Sequence, residues 1–221
     1  MIRYLTMNKA IWTRIRLEGN ERTLQNLVCC DLKNIGTDLQ WSALCGASGK
    51  VLSTAWIQHD KQYWFMDLPI ALKTTVIEHL QRFALRDRFK IEEVSLPKDD
   101  RYQLRNCISH LTPCLEPHTS EQYTPQALGV DMIPNAISWT KGCYLGQEVI
   151  MRLQQLGQIK RVIKAFKYEG EIKTLYVTRQ DGQNAGHIIN HCNDQNKHLF
   201  SIIVSVNHGP LYINNQPIQA I

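Results

Sequence analysis

Lys141-Gly142-Cys143-Tyr144-Leu145-Gly146-Gln147-Glu148 is the most informative stretch of this 221-residue sequence. It places a cysteine, a cation, two glycines and a carboxylate within eight positions. Two glycines four positions apart allow backbone conformations that other residues disfavour. The pattern therefore favours a thiol that stands clear of neighbouring side chains. The alternative is that Cys143 is a small buried apolar residue, as most intracellular cysteines are.

The residues after this stretch predict a helix over 146–156. Its apolar side chains recur at helical spacing, at Val149, Ile150, Leu153 and Leu156. Gly157 falls where such a helix would end. Cys143 then lies just before the positive end of the helix dipole. This position, with Lys141 nearby, is expected to lower the pKa of the thiol, while Glu148 acts in the opposite direction.

The pattern K-G-C-Y-x-G-Q-E resembles the signature of the YgfZ family at every fixed position. These are folate-binding-fold proteins related to the T-protein of the glycine cleavage system. The similarity extends to both sides, in Tyr123-Thr124-Pro125-Gln126, Leu128-Gly129-Val130-Asp131, Ser138-Trp139-Thr140, Met151-Arg152 and Leu156-Gly157-Gln158-Ile159-Lys160-Arg161. Weaker similarity lies in residues 24–27 and 80–91.

The resemblance implies an α+β fold like that of the T-protein. Residues 1–158 would form the folate-binding-fold body, either undivided or as two interwoven subdomains. Residues 159–221 would form a small C-terminal β-domain, which resembles a shortened form of the barrel that ends proteins of this family.

The resemblance also implies a function. Members of the family bind tetrahydrofolate and help to assemble or repair iron–sulfur clusters, including those of enzymes that modify tRNA. Cys143 would be the functional thiol and Lys141 would favour its thiolate. The residues expected to form the cofactor site are Gly142, Tyr144, Gly146, Gln147, Glu148 and Arg152. The expected partners are folate, iron–sulfur assembly proteins or their client enzymes, and a weakly bound tRNA.

Two departures from the family patterns bear on this function. T-proteins carry an aspartate in a "G-x-x-x-D-D" pattern, and the corresponding residues 49–54 contain no carboxylate. Aminomethyl transfer is therefore not expected, and the protein is not predicted to be a conventional enzyme. Ile108 stands where the family has a glutamate that reaches the pterin, so the charge-assisted pair with folate is lost. A folate-dependent one-carbon transferase with Cys143 as nucleophile, and a non-catalytic RNA or protein adaptor, remain as alternatives.

Composition agrees with a cytoplasmic protein. No apolar run reaches the eighteen or so residues that span a bilayer, so no membrane association is expected. Seven cysteines without a Cys-x-x-Cys pair fit a reducing compartment. No metal site is predicted, because polar residues typical of a loop surround the cluster formed by His187, His191, Cys192 and His198. The net charge is +5, and the cations form two groups: Arg82, Arg86, Arg88 and Lys90, then Arg152, Lys160, Arg161, Lys164 and Lys167. They indicate either a solvated face or an anionic partner.

Periodicity and turn residues predict the remaining elements. Helices are expected over 21–27 and 70–86, and strands over 11–17, 39–44, 50–58, 63–68 and 88–94. Residues 97–125 lose all periodicity and read as a long irregular connection. Short strands are expected over 161–168, 175–179, 187–190, 199–206 and 211–213.

Overall fold

A computed structural model of the protein describes residues 12–84, 88–97, 123–128, 135–157, 159–194 and 197–220. Its α-helices are α1 (Glu21–Gln25), α2 (Lys73–Phe83) and α3 (Gln147–Leu156). Single 3-10 turns are formed by Leu32–Asn34, Ile70–Leu72 and Pro125–Leu128. The strands of the first half are β1 (Trp12–Glu18), β2 (Gln40–Cys45), β3 (Val51–Asp60), β4 (Tyr63–Pro69) and β5 (Lys90–Val94). The strands of the second half are β6 (Arg161–Tyr168), β7 (Tyr176–Thr178), β8 (Asn184–Asp194), β9 (Lys197–Ser205), β10 (Tyr212–Ile213), β11 (Gln216–Pro217) and β12 (Gln219–Ala220).

The first five strands form one antiparallel sheet in the order β2-β3-β4-β1-β5. Alternate residues of each strand point to the same face of the sheet, and on one face these residues are apolar. Ile15, Ile57 and Met66 lie on this face and pack with Val76 and Leu80 of α2. This contact explains why α2 has one apolar stripe.

The opposite face of this sheet is also largely buried. Trp41 and Trp56 are paired on neighbouring strands and contribute to a second apolar cluster. On the same face Arg14 donates to Asp67, with 2.6 Å between Nε and Oδ1, and both side chains are buried. A buried ion pair is stable only when its hydrogen bonds are well formed, and Arg14 donates a further bond to Gln58. The sheet therefore lies in the middle of the body and has packed layers on both faces.

The second sheet is built from residues 161–220 in the order β11-β10-β7-β8-β9-β6-β12. Phe166, Phe200 and Ile202 lie in its own apolar cluster. Ile163 and Ile203 belong instead to the second cluster of the body. The two sheets thus share part of their core.

Several predicted boundaries change. The polar residues around 190–196 were expected to form a loop, but β8 continues to Asp194 and β9 begins at Lys197, because Asn190 to Asp194 pair with β9. Helix α1 ends at Gln25, two residues before the predicted end. The predicted connection 97–125 falls almost entirely outside the described residues, as do Ile108 and Arg86. Within the described residues, no helix has the length and apolarity needed to cross a membrane.

Candidate functional site

The signature forms a turn that leads into α3, and Gly146 is the residue that fixes this turn. Gly146 caps the helix at a φ of +81°, a conformation that side chains disfavour. A Cβ added to Gly146 would lie 2.6 Å from the carbonyl oxygen of Gly46 and 2.8 Å from the Cα of Gly49. Gly49 is itself at a φ of +70°, in the turn between β2 and β3. The start of α3 therefore packs directly on that turn, backbone against backbone.

Gly142 has a different environment from the one predicted. It is exposed, its φ is not positive, and an added Cβ would meet no atom within 4 Å. The loop conformation therefore depends on Gly146 and its contact with Gly49. The expected place of Gly142 in a cofactor site stays a prediction.

Lys141 is buried and holds the signature against the N-terminal part of the chain. Its Nζ donates to the carbonyl oxygens of Gln25, Val28 and Cys30, at 2.6, 2.5 and 2.7 Å. It also lies 4.7 Å from the centre of the Tyr144 ring, which is a favourable cation–π distance. Burial lowers the pKa of Lys141 to about 8, and the nearby Cys30, Cys29 and Asp31 oppose that shift.

These bonds bear on the predicted link between Lys141 and Cys143. An ammonium group has three hydrogens, and the three carbonyls use all of them. No N–H of Lys141 is left to donate to a Cys143 thiolate. The contacts seen make Lys141 a structural clamp, and its effect on the thiol stays a prediction.

Tyr144 was expected to form part of the cofactor site, but its side chain lies in the core. Its side chain is buried with Cys29 and Cys45, whose sulfur atoms are 3.7 Å apart. Its hydroxyl is buried and has no hydrogen-bond partner among the described residues. Burial raises the pKa of Tyr144 well above its usual value. Tyr144 therefore offers no surface to a ligand in this conformation.

The exposed side of the signature consists of Gly142, Cys143 and Glu148, followed by Arg152 on α3. Gln147 is half-buried and its backbone N–H bonds to the carbonyl of Tyr144. Cys143 has a free, exposed thiol, whereas Cys29, Cys30 and Cys45 are buried. Burial raises the pKa of Cys30 to about 11. Of the four cysteines whose side chains are described, Cys143 alone can meet a partner from outside.

The predicted cofactor site does not form one continuous surface. Tyr144 lies in the core and Gly146 is pressed against Gly49, so two of its six residues face protein. The corresponding sheet segment carries Ser53 and Thr54, both buried, in the place of the T-protein carboxylates. Among the described residues no three His, Cys, Asp or Glu side chains come together in a way that could hold a metal ion.

A cavity of about 420 Å³ lies at the junction of the two sheets. It is lined by Lys50 just before β3, the segment 123–127, Leu153 of α3, residues 159–161 at the start of β6, and Ile203 of β9. Its charged lining residues are Lys50, Lys160 and Arg161. Lys160 and Arg161 belong to the basic group noted in the sequence, but Lys50 does not. Lys50 directly follows the Gly49 turn, and only the tertiary fold brings it to the other two.

Comparison with solved structures identifies the fold. The structure superimposes on aminomethyltransferase T of the glycine cleavage system from Bartonella henselae with a TM-score of 0.68, over 95% of this chain and 82% of that one, at 10% sequence identity. The protein thus has the α+β fold of the aminomethyltransferase T class, as predicted. No family model matches the sequence.

Sequence similarity to curated proteins is local. A segment of 51 residues is 53% identical to tRNA-modifying protein YgfZ of Colwellia psychrerythraea, covering 23% of this chain and 15% of that protein. A segment of 104 residues is 29% identical to tRNA-modifying protein YgfZ of Blochmanniella pennsylvanica, covering 42% and 31%. An uncharacterized protein of Haemophilus influenzae is 46% identical over 57 residues, covering 26% and 20%. The two matches to YgfZ proteins confirm the resemblance to that family, and this chain covers less than a third of the length of each of the three relatives.

Proposed function

We propose that this protein is a YgfZ-like accessory factor that supports tRNA modification by maintaining iron–sulfur enzymes, with Cys143 as its working thiol. The exposure of Cys143 carries this proposal, because the other three described cysteines are buried. The surrounding contacts support it as well. Lys141 on one side and Gly146 on the other are both anchored to the body, so the thiol is held on a rigid support. Thiolates are good ligands for iron–sulfur clusters and good nucleophiles.

The proposal does not require the thiol to perform multiple-turnover chemistry. Cys143 would contact an iron–sulfur assembly protein or a client enzyme through the exposed side of the signature. An exposed, free thiol can form such a contact directly or carry a group between partners.

Complementation in cells that lack the native protein tests the role of Cys143. Modified tRNA nucleosides made by iron–sulfur enzymes would be quantified by mass spectrometry. Cys143→Ala and Cys143→Ser are expected to fail to restore them, while Gln155→Ala, which changes an exposed residue near the other end of α3, restores them fully. Immunoblotting would establish equal protein levels. Full restoration by Cys143→Ala would show that the thiol is not needed.

Tetrahydrofolate is the ligand suggested by the fold and by the YgfZ resemblance, but the described residues fit it poorly. Ser53 and Thr54 offer hydroxyl groups instead of carboxylates, and Ser53 already donates to the carbonyl of Thr54 at 3.0 Å. Asp67, on the same sheet, is engaged by Arg14. We therefore expect binding weaker than micromolar. Anaerobic calorimetric titration of the reduced protein checks this, and a micromolar dissociation constant would show that other groups hold the pterin.

A further inference from the structure

The cavity at the junction of the two sheets has features of a binding site that the signature does not explain. Its volume of about 420 Å³ lies within the range of roughly 300 to 1,000 Å³ that is typical of small-molecule sites. It forms only when the body and the C-terminal sheet are packed together, since Lys50 lies just before β3 of the body and Ile203 comes from β9 of the second sheet. Such junctions are common places for ligand sites.

The charged residues described in the cavity lining are all cations. Lys50, Lys160 and Arg161 line the cavity, and none of its described lining residues is acidic. Lys160 and Arg161 are exposed. The backbone carbonyl of Lys160 accepts a bond from Val206, and Arg161 pairs with Ser205 at the start of β6, so both cations project from an ordered backbone. Three cations that line one cavity attract an anion that carries more than one charge.

The remaining walls are apolar or hold fixed polar groups. Leu153 and Ile203 supply apolar surface, which strengthens the attraction between the cations and a bound anion. The Tyr123 hydroxyl is 3.0 Å from Nε2 of His187, and the Tyr123 carbonyl accepts a bond from Val51 at 2.7 Å. Gln126 donates to the carbonyl of Ile150 at 2.7 Å. These bonds order the cavity walls without any ligand, so little ordering is needed on binding.

We propose that this cavity binds a nucleoside phosphate, with the phosphate between Lys50, Lys160 and Arg161 and the nucleoside against Leu153 and Ile203. The planar guanidinium of Arg161 suits a phosphate because it can donate two parallel bonds. The nucleoside phosphate can be a free nucleotide or one nucleotide of an RNA chain. The second case would rest on the proposed role in tRNA modification, but the site itself does not depend on Cys143.

Binding measurements on the full-length protein test the proposal. The probes are uridine 5′-monophosphate, a 5′-phosphorylated oligouridylate of five nucleotides, inorganic phosphate and glutarate, each at low and at high salt. Arg161→Ala and Lys160→Ala are each expected to weaken binding about tenfold. Lys167→Ala removes an exposed cation from the same strand, away from the cavity, and is expected to change binding less than twofold. Unfolding midpoints of all variants establish that they fold equally well.

A second measurement needs no variant. Acylation of surface lysines by an N-hydroxysuccinimide ester, followed by mass spectrometry, should show that the nucleotide protects Lys50 and Lys160 but not Lys167. Protection by the mononucleotide supports a free-nucleotide ligand, and protection by the oligonucleotide alone supports RNA. The proposal would be overturned if neither the mononucleotide nor the oligonucleotide protected the two lysines. It would also be overturned if Lys167→Ala weakened binding as much as Arg161→Ala or Lys160→Ala, or if glutarate bound as tightly as the nucleotide. Cys143→Ala should retain binding, so failure of the thiol role and failure of this site are distinguishable.

Discussion

Replacing Gly146 with alanine tests whether the signature is held in place by the contact between two glycine backbones. The left-handed conformation of Gly146 costs an alanine about 1 to 2 kcal/mol. The new Cβ would also overlap the Gly46 carbonyl at 2.6 Å and the Gly49 Cα at 2.8 Å. Backbone atoms cannot swing aside as a flexible side chain can, and accommodating such an overlap costs about 1 to 3 kcal/mol. We therefore expect Gly146→Ala to lower the free energy of unfolding by roughly 2 to 5 kcal/mol.

Urea denaturation followed by tryptophan fluorescence measures this change, provided that the slope of the transition stays constant. Gly142→Ala is the matched control, because it adds the same methyl group four positions earlier in open space. It should change stability by no more than about 0.5 kcal/mol. If the free energies of unfolding of the two variants differ by less than about 1 kcal/mol, the packing of α3 on the Gly46–Gly49 turn does not hold the signature in place.

Three further predictions concern buried groups. Lys141→Met should lower the free energy of unfolding, measured by chemical denaturation, by about 2 to 5 kcal/mol, because the carbonyl groups of Val28 and Cys30 lose their hydrogen-bond donor. A loss below about 1 kcal/mol would contradict the structural role of Lys141. Tyr144→Phe should leave the free energy of unfolding unchanged or raise it by up to about 1 kcal/mol, since the hydroxyl group that it removes has no described hydrogen-bond partner. A lower free energy of unfolding in the same assay would show that the hydroxyl group has a partner. Burial raises the pKa of Cys30 from 9.0 to about 11, so the native state keeps a proton that the unfolded chain loses, and stability falls as the pH rises from 9 to 11. The stability difference between the reduced wild type and Cys30→Ala should change by about 2 kcal/mol over that range in favour of the variant, and a constant difference would contradict the shift.

Local elements of the fold were predictable because their signals are local. The apolar spacing after Gly146 predicted α3 to within one residue, and the alternating pattern of residues 39–68 predicted β2, β3 and β4. The loop predicted from the polar residues near position 190 was wrong, because strand pairing with β9 outweighed the low β-propensity of the asparagines there. Propensity alone cannot show which segments will find a partner strand.

The candidate site was only partly predictable, and the missing part depends on distant contacts. Cys143 was recognised from its neighbours in sequence. The structural role of Lys141 was not recognised, because the carbonyl groups that accept its hydrogen bonds belong to Gln25, Val28 and Cys30, which lie 116, 113 and 111 positions away. From the sequence alone, such a lysine is expected to be a solvated cation. Likewise, the close approach of Gly146 to Gly46 and Gly49 could not be predicted, since the two segments lie about 100 positions apart in the sequence.

The second apolar cluster has a consequence for how the protein melts. It combines Trp41 of the first sheet, Ile150 of α3, and Ile163 and Ile203 of the second sheet. Separating the sheets would expose apolar surface on both sides at once, so neither half can lose its structure while the other keeps its full stability. Heating should therefore melt both halves in one cooperative transition. A fragment that ends before β6 should bind hydrophobic dyes and aggregate.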